Sequence, residues 1–380
     1  MASKSVVEVI RRVVSCIKDP RKEGRTLHSL FEIVVMALCG VIAGCDGWQA
    51  IEDHAHDRKE WFLKFLELKH GVPSHDTFER LFERMCPEEF QRLLLEVAKE
   101  LHEMLSGKNI SIDGKTIRGS YDKALDQGQL HVLSAYVGEC GVTLAQIATD
   151  VKSNEITAIP GLIDLIDIQG AVVTLDAMGC QTKIADKIIR GGGDYVIGLK
   201  GNQGTLRDSV ENFFSNNTME NLEKSDHASV LYHVEKGHGR IEERAYVIID
   251  DVEWLENLKS WNGLKTIGMV ISRRTINDKT SEERRYFIGS IEADVLLFEQ
   301  AVRGHWSIEN SSHYILDVSF NEDKSSIRRD NAPENMAVLR RVANGLLTNE
   351  KSTKLSVKGK IRKANRSTDY LEMILGIGIS

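Results

Sequence analysis

The chain has 380 residues, a formal net charge of −7, 42% hydrophobic residues and 28% charged residues. That length exceeds one ordinary compact domain and predicts two or three, with a substantial apolar core. The balance excludes a uniformly basic nucleic-acid binder, and the longest apolar run, 33–45, is broken by Gly40 and Gly44 and is shorter than the roughly 20 residues that span a bilayer.

Residues 1 to about 105 read as helical. Phe31, Val34, Val35 and Leu38 recur at helical spacing, as do Trp61, Phe62, Phe65 and Leu66, with a turn at Gly44-Cys-Asp-Gly47 between them. Pro73-Ser-His-Asp-Thr offers capping residues ahead of Phe78, Leu81 and Phe82, and a further helix is expected over 90–104. From Asn109 the pattern changes to short strands at 109–113, 131–137 and 142–148, the last two joined by a turn at Gly138-Glu-Cys-Gly141. A helix from the capping candidate Asn154 toward Ile166 follows, then a strand at 171–176, a helix at 181–190 and a strand at 194–199. A meander followed by crossover units predicts an α/β fold with a mixed sheet and helices on its faces. Strand-like segments at 229–234, 244–249, 265–273 and 285–290 then interrupt the pattern as a β-rich insertion, before a helical stretch around Glu309.

The N-terminus alternates charged and apolar residues and lacks a continuous signal-peptide core, so the expected location is cytoplasmic. The six cysteines form no Cys-x-x-Cys pair and read as scattered reduced thiols. Charge is unevenly spread: residues 324–366 hold twelve Lys or Arg against Asp330, Glu334 and Glu350, a segment able to meet phosphates despite the overall sign.

Three carboxylates stand where metal-dependent nucleic-acid chemistry would need them. Asp113 ends the apolar run Asn-Ile-Ser-Ile, and Asp176 ends Ala-Val-Val-Thr-Leu. A carboxylate at the end of a buried strand is held rigidly. Glu309 lies in His-Trp-Ser-Ile-Glu-Asn, where His305, Glu309 and His313 fall at helical i, i+4 and i+8 and so would share one face. The plain alternatives are an Asx turn for Asp113, a helix cap for Asp176 and a solvated helix face for Glu309. Two acids on neighbouring strands and one on a covering helix could hold two divalent cations against a phosphodiester. The pattern His-Glu-x-x-His is absent, as are a Walker A string and a Gly-x-Ser-x-Gly elbow.

Positively charged and amide side chains supply candidate DNA contacts: Lys200, Asn202 and Gln203 after the fifth strand, then Arg240, Arg303, His305, Arg328 and Arg329. The insertion adds His238, Arg244, Arg273-Arg274 and Arg284-Arg285, the last two pairs flanking a turn at Asn277-Asp278. Each could equally be a solvated surface charge.

Several segments together carry a resemblance over nearly the whole length. They are Asp19-Pro-Arg-Lys with His28-Ser-Leu, Gly71-Val-Pro-Ser-His-Asp-Thr-Phe-Glu-Arg, Ile112-Asp-Gly-Lys-Thr and Val151-Lys-Ser-Asn-Glu. Downstream come Thr174-Leu-Asp-Ala-Met-Gly-Cys-Gln, Lys200-Gly-Asn-Gln, the segment around Glu309, and Leu316-Asp-Val-Ser-Phe-Asn-Glu-Asp. In these the chain resembles bacterial insertion-sequence transposases of the H-repeat-associated, DDE type. The resemblance implies a helical associated domain over 1–105 and an RNase H-like catalytic domain over 106–350. The latter would carry the β-rich insertion at about 206–294, with a basic C-terminal tail over 351–380.

The resemblance further implies Asp113, Asp176 and Glu309 as catalytic and metal-binding acids, with two Mg²⁺ (or Mn²⁺) as cofactors. Its implied partner is double-stranded DNA, at element ends and target, with no membrane and with a homodimer for pairing two ends. The chain would be cytoplasmic and nucleoid-associated when bound. Related hairpin-forming transposases carry Tyr, Arg and Lys where this chain has Val302, His305 and Leu316, so His305 or Arg303 would take over the phosphate contact. Two other readings share the fold: an inactive DNA-binding remnant of a mobile element, and a nuclease acting on RNA.

Overall fold

The computed structural model describes residues 5–24, 26–102, 107–121, 128–149, 155–237, 239–256, 258–277 and 279–378. Asn154, His238, Asp278 and the Val151-Lys-Ser-Asn part of one motif lie outside them. The chain divides into two compact units. One comprises Met1–Leu105, Gly114–Asn154 and Ile308–Ser380, and the other Ser106–Asp113 and Glu155–Ser307.

Among the described residues there are nine strands: β1 (Asn109–Ile117), β2 (Leu130–Val137), β3 (Val142–Thr149), β4 (Val172–Leu175), β5 (Asp194–Leu199), β6 (Ala228–Gly237), β7 (Arg240–Ile249), β8 (Thr266–Ile276) and β9 (Lys279–Gly289). β1 runs through both units, its first half in the second and its second half in the first. Along hydrogen-bonded neighbours the first unit reads β3-β2-β1 and the second β1-β4-β5-β9-β8-β7-β6. β1, β4 and β5 are parallel, while β2 with β3 and β5 through β9 to β6 pair antiparallel. The order β3-β2-β1-β4-β5 in a mixed sheet flanked by helices is the RNase H-like arrangement.

In the first unit, helices from both ends of the chain share one apolar core. Val34, Leu38, Phe62, Phe78, Phe82, Met336, Leu339, Leu347 and Leu371 are among its fully buried members. Helix Leu30–Ile42 is buried on nearly every side, as expected of a central helix. Ser29 and Glu32 form a reciprocal capping box at its start, and the second oxygen of Glu32 accepts the backbone N–H of Leu68. Asn335 donates to the carbonyls of Phe82 and Met85, and the Trp61 indole donates to Glu372. The basic stretch after residue 350 is also structured: Val357–Arg366 and Thr368–Leu375 are helices that bury Ile361, Ala364, Tyr370 and Leu371. Arg340, Arg341 and Lys360, counted above among the twelve cations, are buried and so out of reach of a phosphate.

In the second unit the insertion extends the sheet from β5 through β9 as a four-stranded antiparallel layer, preceded by helices Gly204–Asn216 and Met219–Glu223. The strands run several residues beyond the apolar segments read from sequence. Their outer halves are exposed and held by ladder hydrogen bonds without an apolar face to mark them. Helix Val295–Ser307 packs on this sheet through Phe298, Ala301 and Val302 against Val172, Val196, Tyr246, Ile248 and Val270. Gly268 permits that approach, since a Cβ there would lie 2.5 Å from the Phe298 ring. Among the described residues no helix is long and apolar enough to cross a membrane.

Candidate active site

The parallel register of β1 and β4 pairs Ser111 with Thr174 and Ile112 with Leu175, so the residues that follow, Asp113 and Asp176, emerge side by side. Ile110, Ser111 and Ile112 and all of β4 are buried, and each aspartate is the next, partly exposed position; β1 continues past Asp113 to Ile117, beyond the strand end expected from the sequence. Strand alternation puts Asn109, Ser111 and Asp113 on one face, with Val172, Thr174 and Asp176 beside them. That face is the one helix Val295–Ser307 covers: Asn109 donates to the carbonyls of Gln300 and Ala301, and further along His305 meets Thr174.

Asp176 has a structural role too. Its Oδ1 accepts the backbone N–H groups of Met178 and Gly179, at 2.9 and 3.3 Å, capping the 3₁₀ turn Ala177–Gly179 and fixing the carboxylate. Burial, with the Asp176 charge second, pushes the neighbouring Cys180 thiol up to about 12, which leaves it unreactive.

The loop after β5 supports the same turn. The Asn202 amide donates to the Ala177 carbonyl at 2.6 Å and the Gln203 amide to the Cys180 carbonyl at 2.9 Å. These donors brace the Asp176 turn. Lys200 is exposed at the head of the loop.

His305 is half-buried, and its imidazole is pushed down to about 4 by burial, against the opposing pull of Asp176. Its Nδ1 lies 3.2 Å from the Thr174 hydroxyl, which itself donates to Ser111. Arg303 is exposed and ion-paired to Glu235 and Glu299, at 3.1 and 3.4 Å. Arg240 is likewise paired, to Glu242 at 2.7 Å. Trp306, read from the sequence only as a neighbour of Glu309, has the guanidinium groups of Arg244 and Arg285 within 6 Å of its ring, at 5.8 and 5.3 Å. Arg244 and Arg285 share its sheet face through strand alternation, a signal that is readable only once β7 and β9 are known to be close in the sheet.

Glu309 corrects one expectation. Residues Ile308–His313 form a π-helical segment, and its wider i→i+5 turn breaks the α-helical spacing that would have aligned His305, Glu309 and His313. Glu309 and Asn310 are exposed there. His313 is half-buried, and burial, with the charges of Arg341 and Lys115, pushes its imidazole down to about 3.

The segment after Glu309 holds a charge network that sequence reading also missed. Lys115, two residues beyond Asp113, is buried with Nζ at 2.7 Å from Asp317, 2.9 Å from Asp323 and 3.6 Å from Glu322. Glu322 is fully buried and is held below the usual carboxylate range by Arg341, Lys115 and Arg340, which together outweigh its burial. Arg341 bridges to it at 3.0 Å. The signal was a lysine in one motif and three acids in another, whose match only the fold reveals. Of the two arginines just beyond, Arg328 donates to the Gly119 carbonyl and Arg329 is exposed.

The family described as "Transposase DDE domain" matches residues 106–343, and its companion, described as "DDE_Tnp_1-associated", matches residues 11–97. The chain belongs to the DDE transposase family. This transposase-family chain is 41% identical over 366 residues to "Putative transposase YncI" of Escherichia coli O157:H7, covering 95% of this chain and 93% of that protein. It is 38% identical over 373 residues to "H repeat-associated putative transposase YhhI" of Escherichia coli strain K12, covering 97% of this chain and 98% of that protein. A solved piggyBac transposase synaptic complex with hairpin DNA aligns with 99% of this chain and 79% of that one, at 9% identity. Its TM-score is 0.43.

Proposed function

We propose that this transposase-family chain cleaves DNA strands at the ends of an insertion sequence and joins them to a target. The reaction depends on divalent metal, with Asp113, Asp176 and Glu309 as its three carboxylates. The observation that supports this reading is the β1–β4 register: its last pair, Ile112 with Leu175, is followed directly by Asp113, midway along β1, and by Asp176, just past the end of β4.

Carboxylate oxygens are the donors that Mg²⁺ or Mn²⁺ prefer, and two aspartates that directly follow the last β1–β4 pair fit such an ion. Among the described residues no group of three or more His, Cys, Asp or Glu side chains forms a ready-made metal cluster. The aspartate pair is therefore the part of the donor set that the fold arranges, and Glu309 is assigned as the further ligand. When bound, the cations, two in this reading, supply charge neutralisation at the phosphate and a lowered pKa for the attacking water or 3′-hydroxyl.

The chain's own residues prepare that chemistry. The amides of Met178 and Gly179 fix the Asp176 carboxylate, and Asn202 and Gln203 hold the turn from which it projects. Because the Thr174 hydroxyl gives its proton to Ser111, His305 donates Nδ1–H to Thr174 and presents Nε2 as an acceptor. Double-stranded DNA is the substrate, and pairing two element ends calls for two copies of the chain.

The test is cleavage of duplexes carrying the gene's flanking repeats, with Mg²⁺, by the wild-type chain and by Asp113→Asn, Asp176→Asn and Glu309→Gln. Each substitution should lower the rate by about 10²-fold or more. A variant that cleaves normally removes its residue from the assignment. Salt-dependent binding without cleavage of any end would favour an inactive remnant, and preferential cleavage of RNA run alongside would favour a nuclease.

A further inference from the structure

The loop that follows helix Val6–Val14 contains Asp19-Pro-Arg-Lys, a motif the catalytic reading leaves unused. It faces the end of helix His75–Arg84 and the short helix Pro87–Phe90 across a cavity of about 390 Å³. Lys18, Arg21, Lys22 and Arg84 line it, with Asp19 and Glu89 as its carboxylates. All belong to the same compact unit.

Both acids are engaged internally. Asp19 Oδ1 accepts the backbone N–H of Arg21 at 3.0 Å and its Nε–H at 2.9 Å, while Oδ2 accepts from Nη2 at 2.7 Å. Glu89 accepts the backbone N–H of Lys18 at 3.0 Å, tying the loop to the helix pair. The side chains of Lys18, Lys22 and Arg84 are exposed, and among the described residues no carboxylate stands within ion-pair distance of them. In a chain of net charge −7, this wall leaves three cations for an external anion. Its lining has no aromatic ring to stack a base, and lysines act as point charges that contact phosphate without reading sequence.

We propose that this cavity seats backbone phosphates of duplex DNA, a grip by the helical unit that does not read sequence. The proposal rests on the DNA-acting reading above. Each cation that contacts a phosphate releases counterions, so its removal lowers the salt dependence of binding in a countable way.

The experiment measures duplex binding by the full chain across about 50 to 200 mM salt, for wild type and for Lys22→Gln with Arg84→Gln. The double variant should bind about tenfold more weakly, to the same degree on unrelated sequences, with a salt slope smaller by about 1 per cation removed. Lys22→Arg and Arg84→Lys, which keep the charge, should keep the slope, and melting curves of all variants report folding. A double variant that folds and matches wild type in affinity and slope overturns this proposal alone. Stabilisation by inorganic phosphate that the double variant loses, with duplex binding unchanged, also overturns it and assigns the cavity to a free anion. A wild-type chain that binds no duplex overturns both the proposal and the reading beneath it.

Discussion

The Nδ1 of His305 sits 3.2 Å from the hydroxyl of Thr174, a residue two positions before Asp176 on the same strand face. The hydrogen bond from Thr174 to Ser111 fixes the direction of this contact and the tautomer of the ring. Asparagine places an amide near the Nδ1 position, whereas alanine removes both nitrogens. His305→Ala should therefore reduce strand cleavage by about 10²-fold or more while duplex affinity changes little, and His305→Asn should fold as wild type but recover little cleavage. Rates and affinities measured on the same preparations check this. Full cleavage by His305→Asn would show that Nε2 is not used.

Lys115 lies among Asp317, Glu322 and Asp323, and Glu322 is fully buried. Removing one member of a buried ionic group leaves uncompensated charge, at a cost of about 3–5 kcal/mol. Lys115→Met should lower stability by that amount in urea unfolding. Arg341→Met should act similarly, because it takes the other close cation from Glu322. A loss below about 1 kcal/mol for both would mean that water enters the group.

A Cβ at Gly304 would lie 1.9 Å from the Asn109 amide nitrogen, which holds the carbonyls of Gln300 and Ala301. Gly304→Ala should cost about 1–3 kcal/mol by forcing that amide aside. Adding Asn109→Ala should recover part of the loss, since the clash then disappears. Thermal unfolding of the two single variants and the double variant measures the coupling.

His54 is buried in helix Trp48–Asp57, where neither ring nitrogen has a hydrogen-bond partner among the described residues, and burial, then Arg58, pushes it down to about 3. The unfolded chain takes up this proton near pH 6.5 while the folded chain resists it. The unfolded state thus binds more protons between those values, so stability is complete above about pH 6.5 and falls as pH drops toward 3. His313, also pushed to about 3, acts in the same direction. Each site contributes a slope of up to about 1.4 kcal/mol per pH unit. His54→Leu should reduce the slope of stability against pH between about 6 and 4 by one such share, and an unchanged slope would show that His54 titrates normally when folded.

Much of this protein was legible along the chain. Apolar runs of four or five residues before Asp113 and Asp176 mark buried strands, and the change from helical to alternating spacing near Asn109 marks the start of the sheet. Those signals are local, because burial on a strand or helix imprints its own period on neighbouring residues. The outer halves of β6 to β9 carried no such imprint, since backbone hydrogen bonds, and not apolar burial, hold them. Nor does spacing reveal a π turn: it predicted one face for His305, Glu309 and His313, and the i→i+5 bonds of Ile308–His313 undid it.

By itself, the amino-acid order marked which segments become strands and helices and which aspartates directly follow buried runs, though not that β1 continues past Asp113 to Ile117. Only the tertiary structure decided what the polar side chains do. It buried Arg340, Arg341 and Lys360 although they read as surface cations, and it turned Asn202 and Gln203 into braces for the Asp176 turn. It also matched Lys115 to acids some two hundred residues away and left Lys18, Lys22 and Arg84 outside any ion pair among the described residues. A charge has no periodic signature, and its role is set by partners that residues distant in sequence bring to it.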